Sequence, residues 1–157
     1  MSPQKQRLIE LQETGKYVFH GSGFLLDKLE PRQAFNFIDG KHEKDGDPAI
    51  FASPYVEYAI FMAIVNNKNC PDHARSGVSV KTTSFSVSIT YKVAQSTFDQ
   101  LSEKSAGWIY VFNKTDFKRL DRGGVEYASY TPVVPIEKIP VSFSDLPDPI
   151  EIYETNS

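Results

Sequence analysis

Apolar residues fall into short runs along this chain, and their spacing predicts strands more often than helices. Leu8 and Leu11 share a face within residues 3–14, with Gly15 placed to end a short N-terminal helix. Tyr17-Val18-Phe19-His20 is a compact apolar run that leads into Gly21-Ser22-Gly23, a buried strand entering a turn. Leu25, Leu26 and Leu29 then run to Pro31 in a helical turn or loop. From Asp39 to Pro48 six charges, two glycines and a proline predict a solvated loop. Ala49–Ala52 reads as a strand, followed by a helix from Pro54 to Val65 with Ser53 as its cap. Tyr58, Phe61, Met62 and Val65 share one face of that helix, which is apolar almost all round and must be buried on most sides.

Beyond it, residues 66–77 are polar and read as a loop. Ser84 to Tyr91 alternates strictly, with Phe85, Val87, Ile89 and Tyr91 on one face, a strand with one wet side. Trp108–Phe112 is a continuous apolar strand, and Gly124–Val134 alternates again, confined to an edge by Pro132 and Pro135. Five to seven short strands with two or three helices in uneven order define an α+β fold, mostly antiparallel.

At 157 residues, 40% hydrophobic and 13% aromatic, the chain has the length and apolar content of one domain, 1–157. Its longest apolar run, Ala59–Val65, is far shorter than the roughly 20 residues that cross a bilayer. No secretory pattern opens the sequence, and its one cysteine, Cys70, excludes an internal disulfide framework. A cytoplasmic protein without membrane association is expected. The formal net charge of -3 and the absence of a Lys/Arg block argue against a non-specific nucleic-acid binder, whose affinity comes mainly from phosphate neutralisation.

Most site chemistries fail on missing parts. Cys70-Pro-Asp-His73 offers two metal ligands where zinc needs three or four, so no metal is expected. His20-Gly-Ser-Gly is neither a nucleophile elbow nor a phosphate loop. What remains is a strand-end His20, an aromatic helix start, and Glu126 within Val125-Glu-Tyr-Ala-Ser-Tyr130, where a carboxylate is costly unless it is bonded or faces a cleft. Each alone also has an ordinary structural role: core histidine, core aromatics, surface glutamate.

The order and local strings of these residues resemble the ADP-ribosyltransferase superfamily in its histidine–tyrosine–glutamate branch, the branch of diphtheria toxin and the poly(ADP-ribose) polymerases. Tyr17-Val-Phe-His-Gly-Ser22 is similar to its first block, Ala49-Ile-Phe-Ala-Ser53 with Ala59-Ile-Phe61 to its second, and Glu126-Tyr-Ala-Ser-Tyr-Thr-Pro-Val to its third. The branch has a tyrosine where this chain offers Ile50 or Phe51, and Gly124 stands where arginine-modifying members carry a second glutamate. Related tRNA 2'-phosphotransferases use arginines that have no counterpart in these blocks.

The resemblance implies two small, mostly antiparallel sheets flanking a cleft that binds NAD as substrate, and a transferase that breaks the nicotinamide–ribose bond. It implies catalytic roles for Glu126, which stabilises the oxocarbenium-like ribose, and for His20, which also positions the nucleotide. Gly21, Ser22 and Phe51 would line the site, and Phe61 or Tyr58 would stack on the pyridinium. The resemblance leaves the acceptor open among protein, nucleic-acid end, small molecule and water; the charged loop at 39–48 flanks the cleft as a candidate lid. The alternatives are a non-catalytic NAD or ADP-ribose-binding module of the same fold, and a small interaction protein without a nucleotide site.

Overall fold

A computed structural model describes residues 1–154 apart from 39–40 and 121–122, and for residues 34–46 the backbone alone. The chain is α+β. Helix α1 (Pro3–Glu13) is followed by strands β1 (Tyr17–Ser22), β2 (Arg32–Ile38) and β3 (Lys41–Ala52). Helix α2 (Val56–Ile64) leads to β4 (Ser76–Thr82), β5 (Val87–Val93) and the short α3 (Gln95–Phe98). Strands β6 (Ala106–Asn113), β7 (Lys118–Arg119), β8 (Tyr127–Ser129), β9 (Glu137–Ser142) and β10 (Ile150–Ile152) complete it.

Three sheets form, where two were expected: β1-β6-β9, β10-β5-β4 and β2-β3-β8-β7. Every pairing is antiparallel except that of β10 with β5. The predicted loop at 39–48 is corrected over its described part, because Lys41–Pro48 lies in β3 and Lys41–Asp45 pairs with β2; residues 39–40 lie outside the described residues. Charged side chains do not prevent pairing there, since the ladder bonds belong to the backbone. The strand expected from Ser84 begins only at Val87, because Thr83 and Ser86 close a turn that leaves Phe85 99% exposed.

Helix α2 starts two residues later than expected. Ser53 Oγ accepts from the Tyr55 amide at 3.1 Å, outside the helix, and the amide of Val56 is instead capped by Gln12 Oε1 of α1 at 2.7 Å. A long amide side chain from a neighbouring helix here does what a local hydroxyl ordinarily does.

The larger core packs α2 (Val56, Ala59, Ile60, Phe61, Ala63, Ile64) against Leu8 and Leu11 of α1, Phe19, Val93, Ile109, Val111 and Ile139. The helix lies unusually close to the sheet. A Cβ on Gly21 would sit 1.9 Å from the Ala59 carbonyl oxygen, and one on Gly107 2.2 Å from that of Ala63. Two glycines on adjacent strands thus let the α2 backbone rest directly on β1 and β6. On the opposite face of β1 a second core joins Val18, Leu29, Ile50, Ala52, Tyr110, Phe112 and Phe117.

Candidate functional site

β1 pairs with β6 along its whole length but meets the β3 arm at one residue pair, through Ser53 just past the end of β3. The Phe19 amide donates to Ser53 O at 2.7 Å and the Ser53 amide to Phe19 O at 2.8 Å. No further backbone pairing joins the two strands among the described residues, and beyond this point they splay apart. In an antiparallel strand alternate residues aim their N–H and C=O at the same neighbour. Gly21, two residues past Phe19, therefore turns both backbone groups toward the gap.

The His20 ring spans that gap, with Nδ1 2.6 Å from the Phe51 carbonyl oxygen. A carbonyl only accepts, so Nδ1 carries the proton and the neutral ring keeps Nε2 as an acceptor. Burial holds the His20 pKa below its ordinary value; the Phe51 carbonyl opposes this shift, and the Arg32 charge adds to it.

Beside His20 a cavity of about 710 Å³ is floored by Ile50 and Phe51 and walled by Leu25, Leu26 and Leu29. Ser22, Lys28, Glu30 and Arg32 add its polar groups. Its volume lies within the range of small-molecule sites, roughly 300–1,000 Å³. Tyr110 builds the wall: its hydroxyl donates to Phe24 O and accepts from the Leu26 amide at 2.6 Å. The chain after β1 is thereby fixed to β6, and the Leu29–Val133 pair fastens its far end.

Glu126 lies one residue before β8 rather than inside a long alternating strand. β8 has three residues, because the Ser129 hydroxyl donates to Thr131 O and turns the chain ahead of Pro132. The Glu126 backbone carbonyl accepts from the Leu120 amide at 3.0 Å, and its Oε1 accepts from the Tyr58 hydroxyl at 2.8 Å. Tyr58 and Glu126 line a second cavity of about 350 Å³ with Val78, Val80 and Val125.

The expected single cleft is therefore two cavities, neither lined by both His20 and Glu126. Strand alternation explains the separation. His20 shares a face with Val18, and Ala52 of that same core pairs with Tyr127, so Glu126 emerges on the other face, where α2 lies. The two residues stand on opposite sides of the splayed edge, one step from the Phe19–Ser53 pair on β1 and one step beyond the Ala52–Tyr127 pair on β8.

Of the two stacking candidates, Phe61 is 1% exposed and packs on Tyr91 with ring centroids 5.1 Å apart, so it is a core residue. Tyr58, half-buried, is the aromatic at a cavity. Ser22 and Phe51 line the larger cavity, and Ser22 Oγ also accepts from the Phe24 amide at 3.1 Å. Sequence reasoning missed Tyr110, whose place in an apolar run carries no sign of its hydrogen bonds. It also missed Val78 and Val80, because β4 begins within the polar stretch read as a loop.

Among the described residues no three His, Cys, Asp or Glu side chains gather to hold a metal. Cys70 is buried, its thiol donating to Thr97 O at 3.6 Å, and burial pushes its pKa up. No helix among the described residues is long and apolar enough to cross a membrane. In comparisons with family models, curated proteins and solved structures, nothing matches this chain.

Proposed function

We propose that the chain is an ADP-ribosyltransferase-like protein that binds NAD at the gap between β1 and β3 and breaks its nicotinamide–ribose bond. The observation that carries this reading is the splayed edge itself. Gly21 offers an adjacent donor and acceptor to a planar group, and a carboxamide such as that of nicotinamide has the complementary pair. His20 Nε2 is an acceptor for a ribose hydroxyl in the larger cavity, whose exposed Lys28 and Arg32 suit a diphosphate. From the other face the Tyr58–Glu126 pair supplies a ring and an anion.

Departure of nicotinamide leaves positive charge on the ribose, and an anion held ready beside it favours that transition state over the ground state. Glu126 is the residue for this task, and its bond from Tyr58 fixes the carboxylate while leaving acceptor capacity for a ribose hydroxyl. A dinucleotide seated along the gap would meet His20 on one side and Glu126 on the other.

A second reading has its own support. The separation of His20 and Glu126 into different cavities favours a module that binds NAD or ADP-ribose without cleaving it. Incubation with NAD labelled on the adenylate, alone and with cell extract, tests both. Release of nicotinamide supports the enzyme; a raised melting temperature with NAD intact supports the binder; neither effect removes the nucleotide reading.

A further inference from the structure

We propose that the outer edge of β4 docks an extended, acidic polypeptide segment, which pairs with it as an added strand.

β4 ends its sheet: β5 lies on one side, and no described strand lies on the other. The register identifies the backbone groups that point away from β5. Thr83 N donates to Ser86 O and Ala94 N to Arg75 O, both inward bonds to the β5 arm, so the odd-numbered residues of β4 face β5. Ser76, Val78, Val80 and Thr82 therefore turn their N–H and C=O outward. Residues 79–82 are exposed, and this edge carries neither proline nor a bulge, two of the devices that deter strand addition.

Charge and shape select the occupant. Within a chain of net charge -3, residues 75–93 hold Arg75, Lys81 and Lys92 and no Asp or Glu. Arg75 and Lys92 gather over the Tyr153 ring at the base of the hairpin, while Lys81 stands exposed near its tip. Phe85 crowns that tip at 99% exposure, held by a turn in which Thr83 Oγ1 accepts from the amides of Phe85 and Ser86 at 3.3 and 3.0 Å. An extended peptide gains backbone bonds from the edge, charge pairing from Lys81, and an apolar contact from Phe85.

The position of the edge adds to its interest. Val78 and Val80 are also a wall of the Glu126–Tyr58 cavity. Side chains of an added strand that share their face would stand over that cavity, making the peptide a candidate acceptor. This last use rests on the proposed transfer; the docking does not.

The test is a binding titration of the full chain, without NAD, using fluorescein-labelled peptides of about eight residues, long enough to span a strand of this size. The probes are an alternating Glu–Val peptide, its Lys–Val counterpart, and Glu–Val peptides N-methylated at every Glu or at every Val. The expected result is binding of the Glu–Val peptide over Lys–Val, with loss of about tenfold or more on methylating one alternate set and little change on methylating the other. Lys81→Glu should weaken the Glu–Val peptide and strengthen Lys–Val. Val80→Pro, which removes an outward amide without touching the β5 ladder, should abolish binding with its fold verified by melting. Equal binding of both charge types, indifference to both methylation patterns, or binding of an oligothymidylate in preference to every peptide would overturn the proposal. Peptide binding in a protein that leaves NAD intact would uphold the docking and remove the transfer.

Discussion

Tyr58 and Glu126, 68 residues apart, are joined by a 2.8 Å hydrogen bond between the face of α2 and the turn before β8. The bond makes the carboxylate part of a rigid pair rather than a solvated surface charge. Glu126→Gln keeps the length and hydrogen-bonding reach but removes the charge. If Glu126 stabilises a cationic ribose, nicotinamide release should fall by roughly a hundred- to a thousandfold while NAD affinity changes only a few-fold. Kinetics under saturating NAD, with calorimetric binding alongside, check this; retained turnover in the folded variant would assign the chemistry elsewhere.

His20 makes stability depend on pH. Its folded pKa lies below the ordinary value near 6.5, so on acidification the unfolded chain takes up a proton that the folded ring declines. The stability contributed by the neutral ring is present above about pH 6.5 and is lost as pH falls below it. Denaturation curves across that window should therefore decline more steeply for the parent than for His20→Gln. Protonation of the folded ring converts Nε2 from acceptor to donor, so NAD affinity should hold near pH 6.5 and weaken only at lower pH, as the pH falls through the depressed folded pKa.

Gly21→Ala should be strongly destabilising, because the added methyl falls 1.9 Å from the Ala59 carbonyl oxygen. Overpacking of this kind costs about 1–3 kcal/mol or more, and here both partners are backbone. Gly23→Ala is the milder comparison: the nearest atoms to its Cβ are side-chain atoms, Lys68 Cδ at 3.0 Å and the hydrogen-bonded Asn66 amide at 3.2 Å, rather than backbone. Thermal melts of the two variants should differ sharply.

Tyr110→Phe removes the hydroxyl that bonds Phe24 O and the Leu26 amide. Leaving those groups without their partner costs about 1–3 kcal/mol. The wall of the larger cavity loses its attachment to β6, so ligand affinity should drop as well as the melting temperature. A melting curve and an NAD titration on this one variant measure both effects.

The elements most legible in the sequence were those whose burial is two-sided. Ala59–Val65 is apolar because α1, the β1-β6-β9 sheet and Tyr91 enclose all of it but Met62, which is exposed against expectation, and Trp108–Phe112 is continuous because both its faces are covered. β4 was illegible for the opposite reason: only Val78 and Val80 among its seven residues carry large apolar side chains, and four of the seven are exposed. Phe85 misled the strand start by standing in phase with Val87 and Ile89 while lying in a turn. At the site, His20 and Glu126 stood out as polar residues in apolar strings. Their placement on separate faces follows from register, which no local pattern records. Gly21 was read for its access to a ligand, and α2 packing gives it a second and independent requirement.

The Phe19–Ser53 pair also sets how the molecule can breathe. Two backbone bonds between residues 1% and 0% exposed are the whole backbone pairing of β1 with the β3 arm among the described residues. Their amides should be among the slowest to exchange with deuterium, because both residues are buried in the core. The amide of Gly21, only two residues along the same strand, faces the open gap and should exchange orders of magnitude faster, a contrast that a bound ligand would erase.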